Sequence, residues 1–447
     1  MDFDYDVIVV GGGFAGATAV RECALRGERA LLLEGRDRLG GRTFTSELSD
    51  GHVAELGGSH LGWSHQHTWA EISRYGLEND VARSNEPSEW VLTPNVAGEM
   101  SWRSMEEHGP QQRRLYEQFF ADSLRLLPRP DTPLAVVEVA EIDQMTVRQR
   151  IEELGLSEED ANLLRVLLEV EPDLGPDDDP QSYLSLLRWW AAAGHTYDAY
   201  DEAMQGHKLK RGTRSLVEAI ATDGGAEIRL GNVVDRIAHS AGGVELTTRD
   251  GNVLRARAVV IATSPGVWPH LNVEPALDED RIAFADVQAP HASKSVVRLR
   301  GEKRRFYIKP APGHPINVAW TLQKTGEDEQ LAYVFGSHYM EDATDRAQME
   351  AAIRDVLPDA ELVEFVSGTF YHEDELARGG YTLLLRGFTS RFLPHERFQQ
   401  PEGRVFFASA EIARLWPGFI DGAIESGLRA GRLVHEYLEK DKAATSS

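Results

Sequence analysis

The sequence predicts an α/β protein in which a Rossmann-like domain is interleaved with an α+β domain. The first forty residues have the pattern of a strand, a glycine turn, a helix and a second strand, which is typical of the start of a parallel sheet. Similar apolar strands recur in the middle and at the end of the chain, separated by amphipathic segments. We therefore assign residues 1-80, 206-285 and 390-447 to the Rossmann-like domain, and residues 81-205 and 286-389 to the second domain.

The first segment, DYDVIVVGGGFAGATAVRECALRGERALLLEG, contains two apolar runs that suit buried parallel strands, residues 7–10 and 31–34. Between them, residues 15–25 have the composition of a helix, and Gly27 ends it. The spacing therefore predicts a βαβ unit.

Beyond this unit, amphipathic segments such as RRLYEQFFADSLRLL predict a helical region from about residue 80 to 205. Strands return after residue 225, with a hairpin turn at Asp250 and Gly251. Residues 292–370 are rich in strand formers, and RVFFAS at 404–409 predicts one more interior strand. The second domain is therefore expected in two pieces.

The composition restricts the partners. Of the 447 residues, 47 are Lys or Arg and 72 are Asp or Glu, so the formal net charge is −25. This charge disfavours binding to nucleic acid and to anionic membranes, and weakly favours a cationic substrate. The single cysteine, Cys23, cannot form an intrachain disulfide, and no apolar run reaches the ~18 residues of a membrane span. We expect a cytoplasmic protein that does not bind a membrane.

A glycine motif at the first turn predicts a dinucleotide site. Gly11, Gly13 and Gly16 form G-x-G-x-x-G between the first strand and the helix that starts at Phe14 and Ala15. Such glycines allow a tight turn, close approach of a pyrophosphate and close packing of helix on strand. Glu34 ends the second strand, where its carboxylate can accept hydrogen bonds from ribose hydroxyls.

Two segments after this motif indicate which dinucleotide binds. GRDRLGGRT at 35–43 and VAELGGSHLG at 53–62 resemble the FAD-binding segments of the monoamine and polyamine oxidase family. The resemblance implies the two-domain amine oxidase fold and FAD as the cofactor. It assigns seven residues of these segments to cofactor binding: Gly35, Arg36, Gly41, Arg42, Gly57, Gly58 and Ser59.

The C-terminal segment RVFFASAEIARLWPGFIDGAIESG resembles the same family along its whole length. In that family the start of the last helix points at the pyrimidine edge of the flavin, where the helix dipole favours the reduced ring. The resemblance assigns to cofactor binding Ser409, Ala410, Glu411, Trp416, Gly418 and Ile420. Ser409 replaces a usual glycine of the family, and Phe419 replaces a common tyrosine.

The family resemblance also identifies candidates for substrate binding and chemistry. Tyr381, in RGGYT, and Phe419 match the two walls of an aromatic cage that excludes water around the amine. His60 is a further candidate for the substrate pocket. Gly380 stands where some members have the cysteine that bonds the flavin, so we expect noncovalent FAD. Lys294, in HASKSVVRLRG, resembles the family lysine that holds a water near flavin N5.

Other motifs carry less information. Val234 matches the family's backbone contact to adenine. His60, His65 and His67 lie close in sequence, but no carboxylate or cysteine completes a ligand set, so we expect no metal site. No G-x-S-x-G or similar nucleophile motif indicates hydrolysis.

We therefore expect an FAD-dependent amine oxidase that transfers a hydride from the α-carbon of a small amine to flavin N5. The products would be an imine, hydrolysed to a carbonyl compound, and hydrogen peroxide from molecular oxygen. A related dehydrogenase or desaturase with another electron acceptor, and a scaffold without turnover, remain open. The resemblance also suggests a homodimer, but no interface is evident, and the sequence does not identify the amine.

Overall fold

A computed structural model describes residues 3–168, 181–286, 293–369, 374–380, 382, 385–392 and 394–445. The strands are β1 Tyr5–Val10, β2 Ala30–Leu33, β3 Thr45–Glu47, β4 Val53–Glu55, β5 Val81–Arg83, β6 Trp90–Pro94, β7 Met100–Ser104, β8 His207–Leu209, β9 Glu227–Arg229, β10 Val234–Ser240, β11 Gly243–Thr248, β12 Val253–Ile261, β13 Asn272–Glu274, β14 Ser293–Arg300, β15 Phe306–Ile308, β16 Ile316–Lys324, β17 Glu329–Gly336, β18 Glu361–Thr369 and β19 Val405–Phe407.

The α-helices are α1 Phe14–Leu25, α2 Gln66–Arg74, α3 Met105–Phe119, α4 Ser123–Leu126, α5 Val139–Ile142, α6 Val147–Glu153, α7 Glu158–Leu168, α8 Tyr183–Ala193, α9 Tyr197–Gln205, α10 Arg214–Thr222, α11 Glu279–Asp286, α12 Arg346–Val356, α13 Phe388–Phe392 and α14 Ile420–Thr445. Among the described residues, no helix is long and apolar enough to cross a membrane.

The first sheet combines strands from the start, middle and end of the chain. Its order is β13-β10-β11-β12-β1-β2-β9, and β19 pairs with β12. The first half of β12 pairs antiparallel with β11, and Val259 to Ile261 pair parallel with β19 on the same edge. The strand predictions near residues 7, 31, 258 and 404 are thus confirmed, as is the hairpin turn at Gly251.

Both faces of this sheet are buried, which explains the uninterrupted apolar runs. Val7 and Val9 pack against α1 and α14, whereas Ile8 and Val10 pack into the cluster that contains Trp268. Helices α1 and α14 approach closely because Gly427 lies directly against the backbone of Ala15. Helix α14 therefore fixes the end of the chain beside the first turn.

The second sheet has the order β18-β14-β17-β16-β15-β6-β7. One face packs against α12, and the other carries aromatic side chains, including Trp320 and Tyr333, packed near β4.

The prediction that residues 80–205 are helical is wrong for residues 81–104, where β5, β6 and β7 form. These short strands depend on distant partners, since Val91 pairs with Tyr307 in β15 and Ala82 with Lys208 in β8. The helices α3 to α9 form the expected helical layer.

The third glycine of the motif supports a stability prediction. A Cβ on Gly16 would collide with the carbonyl oxygen of Gly11. We expect Gly16→Ala to lower the free energy of unfolding by about 2 kcal/mol through overpacking. Gly326→Ala is the control, since its φ is not positive and an added Cβ would make only ordinary contacts with Glu329, so it should be close to neutral. Denaturant unfolding of both variants measures this, and equal stability of Gly16→Ala and wild type would contradict it.

Candidate active site

A cavity of about 720 Å³ lies between the two sheets and the helical layer. Its first half is bordered by the turn after β1, the end of β2 and residues 40–43. Its other half is bordered by the aromatic face of the second sheet and by α8. The predicted nucleotide motif and the predicted reaction site therefore line the same cavity.

The glycine turn forms one end of the cavity. Gly11 has φ +107°, a conformation that favours glycine, and the main-chain path continues into the first turn of α1. A Cβ on Gly13 would meet no atom closer than 3.7 Å and would extend into open space at the cavity wall. The first N–H groups of α1 have no partners within the helix and favour an anion here.

Glu34 lies beside this turn. One carboxylate oxygen accepts a hydrogen bond from the Gly12 N–H at 2.6 Å, and the other accepts from the Arg36 N–H at 2.7 Å. Each carboxylate oxygen has a second lone pair. The side chain is therefore oriented by the backbone and can still accept hydroxyl donors on the cavity side.

Arg42 connects the cavity wall to the C-terminal segment. Its guanidinium pairs with the buried carboxylate of Glu411, which also accepts hydrogen bonds from Ser409 and from Thr382. Burial alone would raise the pKa of Glu411, but the charge and hydrogen bond of Arg42 outweigh burial and lower it. Glu411 thus acts behind the wall, where it orients Arg42, and does not line the cavity.

Lys294, on β14, reaches across to the first half of the cavity. Its Nζ donates to the Gly57 carbonyl at 3.0 Å and to Ser59 Oγ at 2.8 Å, and lies 4.0 Å from the centre of the Tyr333 ring. Burial lowers the pKa of Lys294 to about 7. The Lys294 amine is therefore held at the cavity wall, and its charged and neutral forms are both populated near neutral pH.

His60 lies next to this lysine and lines the cavity. Its Nδ1 contacts Ser84 Oγ at 3.2 Å, whereas its buried Nε2 has no hydrogen-bond partner. Burial, together with the nearby charge of Lys294, lowers the pKa of His60 well below its ordinary value. The imidazole is therefore neutral at physiological pH.

Aromatic rings form the wall near the start of α14. Phe419 lines the cavity and packs edge-on against Trp189, which also lines it. Trp416 is fully buried behind Phe419, where its indole N–H donates to the Ser64 carbonyl. Trp416 thus supports Phe419 and does not line the cavity, although the sequence analysis assigned it to cofactor binding. The other predicted wall, Tyr381, lies outside the described residues.

Most of the remaining predicted residues are on the cavity wall. The structure places there Phe14, Ala15, Gly35, Arg36, Gly41, Gly58, Val234, Ser409, Ala410, Gly418 and Ile420. Gly16 lies behind the turn, where it allows α1 to contact Gly11. Gly380, the position of interest for flavin attachment, also lines the cavity.

Comparison with known proteins identifies the family. A family model described as flavin containing amine oxidoreductase matches residues 14–435. The chain belongs to this family. The prediction from the sequence motifs is thereby confirmed, and the protein is a flavin-dependent amine oxidoreductase.

Two relatives cover nearly the whole chain. The chain is 33% identical to nicotine dehydrogenase of Pseudomonas putida, over 98% of its own length and 89% of the relative's. It is 28% identical to (S)-6-hydroxynicotine oxidase of Paenarthrobacter nicotinovorans, over 94% and 97%. The relatives thus include a protein named as a dehydrogenase and one named as an oxidase.

Solved structures confirm the fold. Cyclohexylamine oxidase from Brevibacterium oxydans superimposes with a TM-score of 0.77 at 24% identity, covering 98% of this chain and 100% of that one. A putrescine oxidase gives 0.79 at 18% identity, covering 97% and 99%. These identities support the amine oxidase fold alone.

The sequence analysis missed the wall contributed by the second sheet. Tyr307, Trp320 and Phe335 line the cavity, as do two polar residues, Lys309 and Asn317. The alternation of Tyr333 and Phe335 in EQLAYVFG is a signal that could have identified one face. Within the described ranges, no group of His, Cys, Asp or Glu is arranged to hold a metal ion.

A short segment crosses the first half of the cavity, and we call residues 374–378 the strap. Arg36 donates to both carboxylate oxygens of Asp374, at 3.0 and 2.7 Å, and Arg249 pairs with Glu375 at 2.8 Å. Leu376 lines the cavity and would be 3.0 Å from a Cβ on Gly35. The strap is thus held by Arg36, which follows β2, and by Arg249, which follows β11.

We predict that Asp374→Asn speeds flavin release about fivefold, the equivalent of roughly 1 kcal/mol for a partly exposed ion pair. Salt should speed release from the wild type and have little further effect on the variant, because screening weakens the same pair. The fluorescence of released flavin measures the rate. Asp328→Asn, an exposed position outside the cavity, is the control. Equal release rates in wild type and Asp374→Asn would exclude a retaining role for the strap.

Proposed function

We propose that this chain binds FAD noncovalently and oxidises a small amine. In the overall reaction, the amine, oxygen and water give a carbonyl compound, hydrogen peroxide, and either ammonia or a shorter amine. A cyclic amine gives hydrogen peroxide and one ring-opened product that carries both the amine and the carbonyl group. The observation that carries the proposal is the position of Lys294, held against Gly57 and Ser59 in the same cavity as the glycine turn and Phe419.

The residues present fit FAD. The open face of Gly13, the start of α1 and the free lone pairs of Glu34 provide the groups that a pyrophosphate and a ribose require. Ile420, at the start of the long helix α14, lines the same cavity, so unpaired N–H groups can face an anionic ring edge. Gly380 has no side chain for a covalent bond, which supports noncovalent attachment.

When bound, the flavin supplies the oxidant that accepts a hydride from the carbon bearing the amine. The side chains have supporting tasks. Phe419 and Trp189 exclude water and orient the substrate, and the neutral imidazole of His60 offers an unpaired nitrogen without adding charge. No described side chain on this wall is required as a covalent nucleophile.

Anaerobic reduction tests the proposal. A panel of primary, secondary and cyclic amines should bleach the yellow absorbance, and the names of the two relatives make nicotine-like cyclic amines the first compounds to test. Phe419→Ala should slow bleaching about tenfold while the flavin remains bound, because the substrate loses a positioning wall. Trp90→Ala, an exposed aromatic substitution outside the cavity, is the control. A protein that stays colourless, or is never bleached by any amine, would refute the function.

The electron acceptor is a separate part of the proposal. We propose molecular oxygen, and the relative named as a dehydrogenase supports testing other acceptors in parallel. Oxygen gains negative charge as it is reduced, and the protonated Lys294 amine on the cavity wall would stabilise that charge.

Lys294→Met should therefore slow reoxidation more than reduction. Since the pKa of Lys294 is about 7, the amine is protonated below this pH, and wild-type reoxidation should slow as the pH rises through 7. The variant should show no such step. Stopped-flow mixing of reduced enzyme with oxygenated buffer measures both rates, with Lys303→Met as an exposed lysine control. Identical oxygen reactivity and pH profiles in the two proteins would remove Lys294 from this role.

A further inference from the structure

A single carboxylate joins the start of α2 to the start of α14. Asp421, in the first turn of α14, is fully buried, and one of its oxygens accepts a hydrogen bond from the Thr68 N–H at 2.8 Å. The other oxygen lies 3.0 Å from His67 Nδ1. His67 and Thr68 belong to the first turn of α2, and the residue before that helix, His65, provides no side-chain cap. Asp421 therefore caps α2 from 353 positions further along the chain.

This carboxylate lies close behind the cavity wall. Ile420 and Ala423, on either side of Asp421 in the sequence, line the cavity, as does Phe419. Asp421 itself does not line it. One helical turn rises only ~5.4 Å, so the charge of Asp421 acts on the part of the cavity nearest the start of α14. Asp421 therefore influences a bound group there by its charge and not by contact.

His67 is positioned to change this charge. Because a carboxylate oxygen has no proton to donate, the Nδ1–H of His67 is the donor in their contact. The His67 side chain is 24% exposed, whereas that of Asp421 is 0% exposed, so the imidazole exchanges protons with solvent. Burial alone would lower the pKa of His67, but the hydrogen bond and the charge of Asp421 raise it. The charged pair therefore persists to a higher pH than that of an isolated histidine.

The other ionisable groups around His67 are held by their own partners. On α2, Glu71 is bound by the guanidinium of Arg21. On α14, Glu425 accepts hydrogen bonds from two main-chain N–H groups of the preceding loop. Burial lowers the pKa of the neighbouring imidazole, His65, to about 4, so that ring is neutral. Of these four residues, counting His67 itself, His67 is the one whose charge changes near neutral pH.

The proton on His67 decides the net charge at this junction. Each helix N-terminus carries roughly half a positive charge, and two of them meet at Asp421. When His67 is protonated, its charge cancels that of the carboxylate, and the two helix ends remain positive. When His67 is neutral, the carboxylate cancels both helix ends. The electrostatic potential at the start of α14 therefore becomes less positive when His67 loses its proton.

From this arrangement we propose that His67 is a positioning residue that sets the reduction potential of the flavin bound beside Phe419. It acts through Asp421 and the start of α14, and it does not line the cavity itself. Negative charge gathers on reduction at the ring edge that this helix start faces, so a protonated His67 favours reduction. The inference rests on the proposed function only for the presence of bound flavin, and it requires no amine substrate.

Reductive titration of the holoenzyme against a reference dye tests this role. His67→Gln keeps a hydrogen-bond donor without the charge, and His67→Lys keeps the charge throughout the pH range. At about pH 5.5, the equilibrium constant for flavin reduction should be about fivefold larger in the wild type than in His67→Gln, and at about pH 9 the two should agree. His67→Lys should match the wild type at the lower pH and exceed it about fivefold at the higher pH.

The matched control is His435→Gln. His435 also contacts a buried carboxylate, that of Glu28, but it lies towards the other end of α14, far from the cavity wall at Ile420. This variant should have the reduction equilibrium of the wild type at both pH values. A merely structural role for a histidine and carboxylate pair would give no difference between the two ends of the helix.

Thermal unfolding measures the link without relying on flavin. Because the pKa of folded His67 is raised, its stabilisation is fully present below pH 6.5 and is lost as the pH rises through the folded value. The melting temperature of the purified wild type should therefore exceed that of His67→Gln at low pH, and the difference should shrink as the pH rises. Identical melting profiles of the two proteins would show that His67 and Asp421 are not linked, and would overturn the inference.

The remaining outcomes separate the two proposals. Equal reduction equilibria in the wild type and His67→Gln at low pH, or a shift of the same size in His435→Gln, would overturn the inference while leaving amine oxidation intact. A protein that binds no flavin would overturn both proposals. If the equilibria shift as stated but no amine bleaches the flavin, the inference stands and the proposed function fails.

Discussion

The buried ammonium of Lys294 joins the two halves of the protein's cavity. It extends from the second sheet to the carbonyl of Gly57 and the hydroxyl of Ser59, which follow β4 in the first half. Burial of an ammonium group is costly, so these two acceptors and the face of Tyr333 must replace water. The pKa of Lys294 is lowered because these groups only partly replace the water that a charged ammonium loses on burial. The geometry that positions the amine therefore also makes its charge adjustable.

The local motifs could be predicted from the sequence because their structure depends on neighbouring residues. Gly11 and Gly16 reveal a tight turn by residue type and spacing, and Glu34 follows at the end of the next strand. The apolar runs in β12 and β19 are similarly evident, since strands buried on both faces lack alternation.

The missed features depend on pairing between distant segments. Residues 81–104 were predicted to be helical, but β6 is formed by pairing with β15, more than two hundred residues later. Asn317 reaches the cavity only because a bulge shifts the register of β16. Trp416 was assigned to cofactor binding and is instead buried behind Phe419, because the sequence does not show which of two neighbouring rings faces the cavity.

The shared edge of β12 has a consequence for how the protein is made. Its final residues pair with β19, which begins at Val405, and α14 follows that strand. Contacts between segments so far apart form late, because a long intervening chain must first be ordered. On the ribosome, the first βα turn is synthesised hundreds of residues before the helix that packs beside it. Until the last tenth of the chain emerges, the edge of β12 that pairs with β19 stays exposed. A flavin bound at this stage would contact the glycine turn but not the start of α14.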